Sequence, residues 1–189
     1  TLGAKVGIVD KGPLGGLCIL RGCMPTKTIL RSSDVMSLVK RAKEFGLRAS
    51  KPITKMDEIY ARKKALVKEF ADYRVEQLNS PRFELIKGKA TFLNKNTIQV
   101  GKKTITSRSF VIGTGSVVAH FDIPGLSEVG YITSDEALEL QTLPKSMIVL
   151  GGGAVATEFA QFFSRVGSKT TLIQRSNHIF SSSDEDLAR

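Results

Sequence analysis

Two hydrophobic periods alternate along the chain. Lys5-Val6-Gly7-Ile8-Val9-Asp10 is a short apolar run ending in an acid, the pattern of a buried parallel strand. A glycine-rich turn follows, Gly12-Pro13-Leu14-Gly15-Gly16. From Pro25 the period becomes helical, with Ile29, Leu30, Val35, Leu38 and Val39 recurring at helical spacing to about Lys43. Pro25 suits a first helical turn, where its missing N–H is not needed. A second, polar-faced helix is predicted over 55–78, stopped by Asn79-Ser80-Pro81. Short alternating runs at 83–86, 89–92, 97–100 and 103–106 predict a small antiparallel meander, punctuated by Asn94-Lys95-Asn96 and Gly101. Ser109 to Ile112 reads as a buried strand entering the turn Gly113-Thr114-Gly115-Ser116. Ile123-Pro124-Gly125 opens a linker, and Ser134 is placed to cap a short helix over 135–140. Last come a strand at 147–150, Gly151-Gly152-Gly153, a helix over 154–166 and a strand at 170–174.

The segment Val166 to Arg175 aligns without gaps on Leu2 to Lys11: helix end, glycine, strand, polar tip. On that alignment Thr1 sits near the end of a helix, and roughly twenty residues of a first βαβ unit lie upstream.

Composition changes this picture little. With 41% hydrophobic and 7% aromatic residues a packed core is feasible. No apolar run approaches the ~20 residues of a membrane span, and the opening residues read as a strand rather than a secretory signal. The expectation is a cytoplasmic protein with no membrane partner, although a chain opening on Thr1 leaves room for an upstream targeting segment. The net charge of +10 is spread over helix faces and turns, without Trp to stack bases. No nucleic-acid partner is expected; a solvated basic surface can help steer anionic dinucleotides.

Two cysteines are too few for a stapled secreted fold. Cys18-Ile19-Leu20-Arg21-Gly22-Cys23 puts two thiols five positions apart where a glycine turn becomes a helix. They can close a disulfide if the backbone brings their Cα atoms within ~6 Å, and a helix N-terminus favours the thiolate. Gly22 leaves room for a flat group beside Cys23. The spacing alone fits two buried core cysteines equally well. No metal site is expected, because no second ligand pair accompanies them.

The wider stretch Gly15-Gly16-Leu17-Cys18-Ile19-Leu20-Arg21-Gly22-Cys23-Met24-Pro25-Thr26-Lys27 resembles the redox signature of the class I pyridine nucleotide-disulfide oxidoreductases. That family includes dihydrolipoamide dehydrogenase, glutathione reductase and mercuric reductase. Leu17 stands where the family usually has Thr, and Gly113 where it usually has Ala. The resemblance runs in order along the whole chain. It implies that Cys23 is the thiol next to the flavin, forming a charge-transfer thiolate, and Cys18 the interchange thiol that meets substrate. Lys27 would lie near the flavin and pair with Glu158. By the same resemblance FAD is held by Asp10 and Lys11 at the strand tip, Gly15, Gly16 and Gly22 around the cysteines, and Thr114, Gly115 and Ser116.

Gly151-x-Gly153-x-x-Ala156, between a strand and a helix, fits the dinucleotide fingerprint. At the next strand tip an acid would bond the ribose of NAD. Here Gln174 and then Arg175 stand, a cation able to grip a phosphate. The expectation is NADPH rather than NADH, even though Ser181 occupies the place of a second arginine.

The fold class expected is α/β: a Rossmann-like FAD-binding domain over 1–140 with a small meander, then the start of a Rossmann-like NAD(P)-binding domain over 141–189. The expected reaction passes electrons between NAD(P)H, FAD and Cys18–Cys23, with a small-molecule or small-protein disulfide or dithiol as partner. The family implies a homodimer for the parent protein. A transhydrogenase, a metal-ion reductase or a truncated, non-catalytic flavoprotein domain are the alternatives.

Overall fold

A computed structural model describes residues 3–181 and 185–187. In chain order the elements are β1 (Gly7–Asp10), α1 (Gly16–Arg21), α2 (Cys23–Lys40), a 3-10 turn (Ala42–Phe45), α3 (Met56–Leu78), β2 (Glu84–Lys87), β3 (Ala90–Asn94), β4 (Thr97–Val100), β5 (Lys103–Thr106), α4 (Leu126–Val129), α5 (Ser134–Ala137), β6 (Ser146–Leu150), α6 (Ala154–Val166), β7 (Lys169–Ile173) and a final 3-10 turn (Glu185–Leu187). They form two compact units, Thr1–Leu20 with Val67–Val117, and Arg21–Leu66 with Val118–Arg189.

In the first unit β1 pairs in parallel with β2, Gly7 opposite Glu84 and Asp10 opposite Lys87. Strands β3, β4 and β5 form a separate antiparallel sheet, with Ile98 and Val100 of β4 buried. The four-run meander is therefore corrected to three strands. The run at 83–86 belongs with β1, because a parallel neighbour takes its backbone groups. Gly88 makes the turn out of β2 at φ +151°, and a Cβ there would lie 2.6 Å from Val100 Cγ1. The strand expected at 109–112 is a further correction. That segment carries no strand, and Val111 is 98% exposed and Ile112 72%. Among the described residues no neighbour pairs with it, and an apolar run without a ladder partner is not held as a strand.

The second unit is built on a parallel β6–α6–β7 crossover, with Ser146 opposite Lys169 and Leu150 opposite Ile173. Helix α6 is strongly amphipathic. Phe159, Phe162, Phe163 and Val166 recur at helical spacing and form the core with Ile29, Met56, Ala137 and Leu138. Phe162 and Phe163 meet edge to face with centroids 5.1 Å apart. The helix ends at Gly167, φ +119°, where the Gly167 and Ser168 amides return to the Phe163 carbonyl. Gly3 has φ +72° ahead of β1, so both segments of the internal alignment turn at a left-handed glycine before their strand. The helix end expected at Thr1 lies outside the described residues.

Helix α2 begins at Cys23, two residues before the predicted start, and the turn ahead of it is the short helix α1. Gly22 is the N-cap, and its carbonyl accepts from the Thr26 amide at 3.2 Å and the Thr26 hydroxyl at 2.7 Å. Pro25 still falls in the first turn, whose amides have no intrahelical acceptor. The short helix α5 is capped by Thr133 rather than Ser134. Glu136 completes a capping box, accepting from the Thr133 amide at 2.7 Å and the hydroxyl at 2.5 Å. The Thr133 hydroxyl and then the backbone amides hold the Glu136 carboxyl below its ordinary range.

Candidate functional site

Cys23 is the first residue of α2, and Ala154 is the first residue of α6. Three contacts tie these helices along their length. The Lys27 ammonium donates to a Glu158 carboxylate oxygen. Arg165 donates to Asp34 at 2.6 Å, and the Lys40 ammonium donates to the Arg165 carbonyl at 2.7 Å. The first two pairs have the same separation in sequence, 131 residues. Equal offsets mean that the helices run parallel and in register. The thiol-bearing N-terminus of α2 and the glycine-turn N-terminus of α6 therefore share one end of the pair.

The Lys27–Glu158 pair lies one helical turn in from that end on both helices. Its side chains are 60% and 30% exposed, so it contributes under about 1 kcal/mol to stability. What it contributes is position: a cation and a carboxylate one turn from Cys23 and from the glycine turn. Arg21, just before the α2 cap, donates to Asp135 at 3.2 Å and fixes the approach to Cys23.

At the N-terminus of α6, Gly151 has φ +114°, its amide donates to the Ile173 carbonyl at 2.8 Å, and a Cβ on it would meet Ala156 at 3.7 Å. Gly151 and Ala156 thus let helix and strand pack closely, and Gly153 caps the helix with nothing within 4 Å of an added Cβ. A strand, a glycine turn and an open helix N-terminus suit a pyrophosphate, which takes free amides and the positive end of the helix dipole. Gln174 is half-buried at the tip of β7, and Arg175 beside it is exposed.

In the first unit the Asp10 carboxylate accepts the Gly12 amide at 2.6 Å, which orients it at the tip of β1. Lys11 is exposed. Gly15 and Gly16 hold φ of +136° and +79°, and a Cβ on Gly15 would press on Leu20 at 3.0 Å. The turn Thr114-Gly115-Ser116 is exposed, and a Cβ on Gly115 would lie 3.9 Å from Leu17 Cβ. This brings the turn beside α1, which carries Cys18. Both Cys18 and Cys23 are exposed, not buried core cysteines. An oriented carboxylate at a strand tip and a backbone-exposing turn fit the adenosine end of a dinucleotide cofactor. Among the described residues there is no cluster of three potential metal ligands, and no helix long and apolar enough to cross a membrane.

The family of pyridine nucleotide-disulphide oxidoreductases matches residues 1–189, the full chain. The chain belongs to this family. Mercuric reductase of Staphylococcus aureus is 37% identical over 187 residues, which is 98% of this chain and 34% of that protein. Dihydrolipoyl dehydrogenase of Acholeplasma laidlawii is 33% identical over 190 residues, 98% of this chain and 56% of its own. Among solved structures, the Cu(II) complex of the HOCl-induced flavoprotein disulfide reductase RclA from Escherichia coli superposes with a TM-score of 0.80 at 27% identity, covering 97% of this chain and 39% of that one. The fold is therefore the Rossmann-like fold of the flavoprotein disulfide reductases. The chain spans between a third and three-fifths of the length of these relatives.

Asp34 and Arg165 were not singled out by motif. Their signal was nonetheless present, since each follows its partner of the Lys27–Glu158 pair by seven residues, two helical turns.

Proposed function

We propose that the parent protein is an FAD-dependent NAD(P)H:disulfide oxidoreductase, in which this chain supplies the thiol pair Cys18–Cys23 and the pyridine nucleotide turn. One observation carries this reading. Two motifs far apart in sequence, the cysteine helix and the glycine-turn helix, are parallel and joined by Lys27 and Glu158 at the end where both begin. The division into an FAD domain over 1–140 and an NAD(P) domain beginning at 141 is part of the proposal.

FAD would be held by Asp10, Lys11, Gly15, Gly16, Gly22 and the Thr114–Ser116 turn, and when bound it supplies a two-electron carrier between nicotinamide and thiols. The chain's own residues do the rest. Gly151, Gly153 and Ala156 let a pyrophosphate approach the α6 N-terminus. Lys27, held by Glu158, keeps a positive charge one turn from Cys23. In the net reaction NAD(P)H and one proton give two electrons and two protons to the Cys18–Cys23 disulfide, leaving two thiols. The Cys18 thiolate then attacks an acceptor disulfide, and Cys23 closes on Cys18 to release the second acceptor thiol. The reverse direction, oxidation of a dithiol, uses the same parts. The likeness to mercuric reductase favours a metal ion as the second reading of the acceptor.

Replacing Glu158 by Gln frees Lys27 and should slow reduction by NAD(P)H in rapid-reaction measurements on the order of 10- to 100-fold. An unchanged rate would remove this pair from the mechanism. Arg175 supports NADPH as the donor, since a guanidinium pairs with a 2′-phosphate. Arg175→Glu should invert the ratio of kcat/KM for NADPH over NADH. A ratio that stays put excludes Arg175 as the discriminating residue. Homodimerisation and a cytoplasmic setting complete the proposal for the parent.

A further inference from the structure

The three glycines of the α6 turn differ in what their own chain leaves above them. A Cβ on Gly153 would meet nothing, and one on Gly151 only ordinary contact with Ala156. A Cβ on Gly152 would lie 1.8 Å from Oε1 of Gln174, 2.6 Å from its Cδ and 3.3 Å from its Cβ. The middle position, which the fingerprint leaves free for any residue, is thus the one the chain itself fills. The Gln174 amide is held there, donating to the Ser176 carbonyl at 2.8 Å. The Phe180 amide then donates to the Gly152 carbonyl at 2.7 Å. Phe180 makes that bond at φ +52°, the one positive φ among the described non-glycine residues. A bulky side chain disfavours this conformation, so the bond to Gly152 is made against a local backbone preference.

We propose that Gln174 to Phe180 form a strap closed over the glycine turn, with Gln174 the gate that a pyridine dinucleotide displaces and Phe180 the latch that releases. This rests on the nucleotide-binding reading of the turn. A pyrophosphate needs close approach to the glycine backbone, and the Gln174 side chain stands over that backbone at Gly152. Opening costs the two hydrogen bonds but lets Phe180 return to a favourable backbone conformation. That relief offsets part of the cost of opening, and a ligand that binds only the open state shifts the balance towards it. The apparent affinity for dinucleotide is lowered by the fraction of molecules that are closed. Gln174 then sets the apparent affinity for dinucleotide by occupying the site.

Hydrogen exchange and nucleotide titration of the same protein test this. The Phe180 amide is expected to be protected without nucleotide and to lose protection at saturating NADPH. Gln174→Ala, and Gln174→Ser as a second variant, are expected to bind NADPH several-fold more tightly than the wild type. Equal or weaker binding by both variants overturns the strap, as does a Phe180 amide that stays protected while NADPH is bound. If neither the wild type nor the variants bind NADPH or NADH, the nucleotide reading of the turn fails and the strap fails with it.

Discussion

Cys23→Ser is expected to abolish NAD(P)H-driven disulfide reduction, by roughly 10³-fold or more, while the protein keeps its fold. Serine cannot form a disulfide with Cys18, and its hydroxyl stays protonated where a thiol ionises. No other group among the described residues stands in for it: the first position of α2 is a single residue, fixed by the Gly22 cap. Cys23 is exposed, so the loss of packing is small and the melting temperature should move little. Steady-state turnover with a disulfide acceptor, set beside a thermal melt, separates chemistry from folding. Disulfide turnover retained within about tenfold would sink the thiol mechanism. It would favour a transhydrogenase, which has no need of the thiols.

The largest effect on stability should come from Phe162→Ala. Phe162 is completely buried and sits edge to face with Phe163 at the centre of the second unit's core. Truncating a buried phenylalanine costs about 3–5 kcal/mol, which for a chain of this size lowers the melting temperature by roughly 6–20 °C. The cavity cannot be filled from one side alone, because Ile29 of α2 and Leu138 belong to the same cluster. Since the same helix carries Glu158 one turn in from its start, the variant should also loosen the Lys27–Glu158 pair. A melting temperature unchanged within a degree or two would mean that this core does not hold the unit together.

The sequence made most of this readable because its period was unambiguous where packing is dense. Helix α6, bounded by Gly153 and Gly167, is delimited to the residue, while its aromatic core face comes from the structure. Glu158 was linked to Lys27 through family resemblance, and the ion pair brings the two together. The failures lie where local pattern is not enough. The partner of β2 is β1, many residues away, and alternation alone cannot distinguish a parallel neighbour from the next hairpin. Residues 109–112 have every property of a strand except a ladder to join. Thr133 and Ser134 are both good caps, and the Asp135 amide donating to the Thr133 hydroxyl, with the Thr133 amide donating to Glu136, decides between them. The filling of Gly152 by Gln174 leaves no trace in sequence, because the fingerprint treats that position as free.

The equal offset of the α2–α6 pairs limits how these segments can change over evolutionary time. A substitution on the exposed face of either helix leaves the register of the rest intact, whereas a change of length does not. Inserting or deleting one residue between Lys27 and Asp34 would rotate everything beyond it by about 100° and separate one of the two ion pairs. The change could be repaired only by a matching insertion or deletion between Glu158 and Arg165. Keeping both pairs in register thus couples the lengths of the two segments, although more than a hundred residues of chain lie between them.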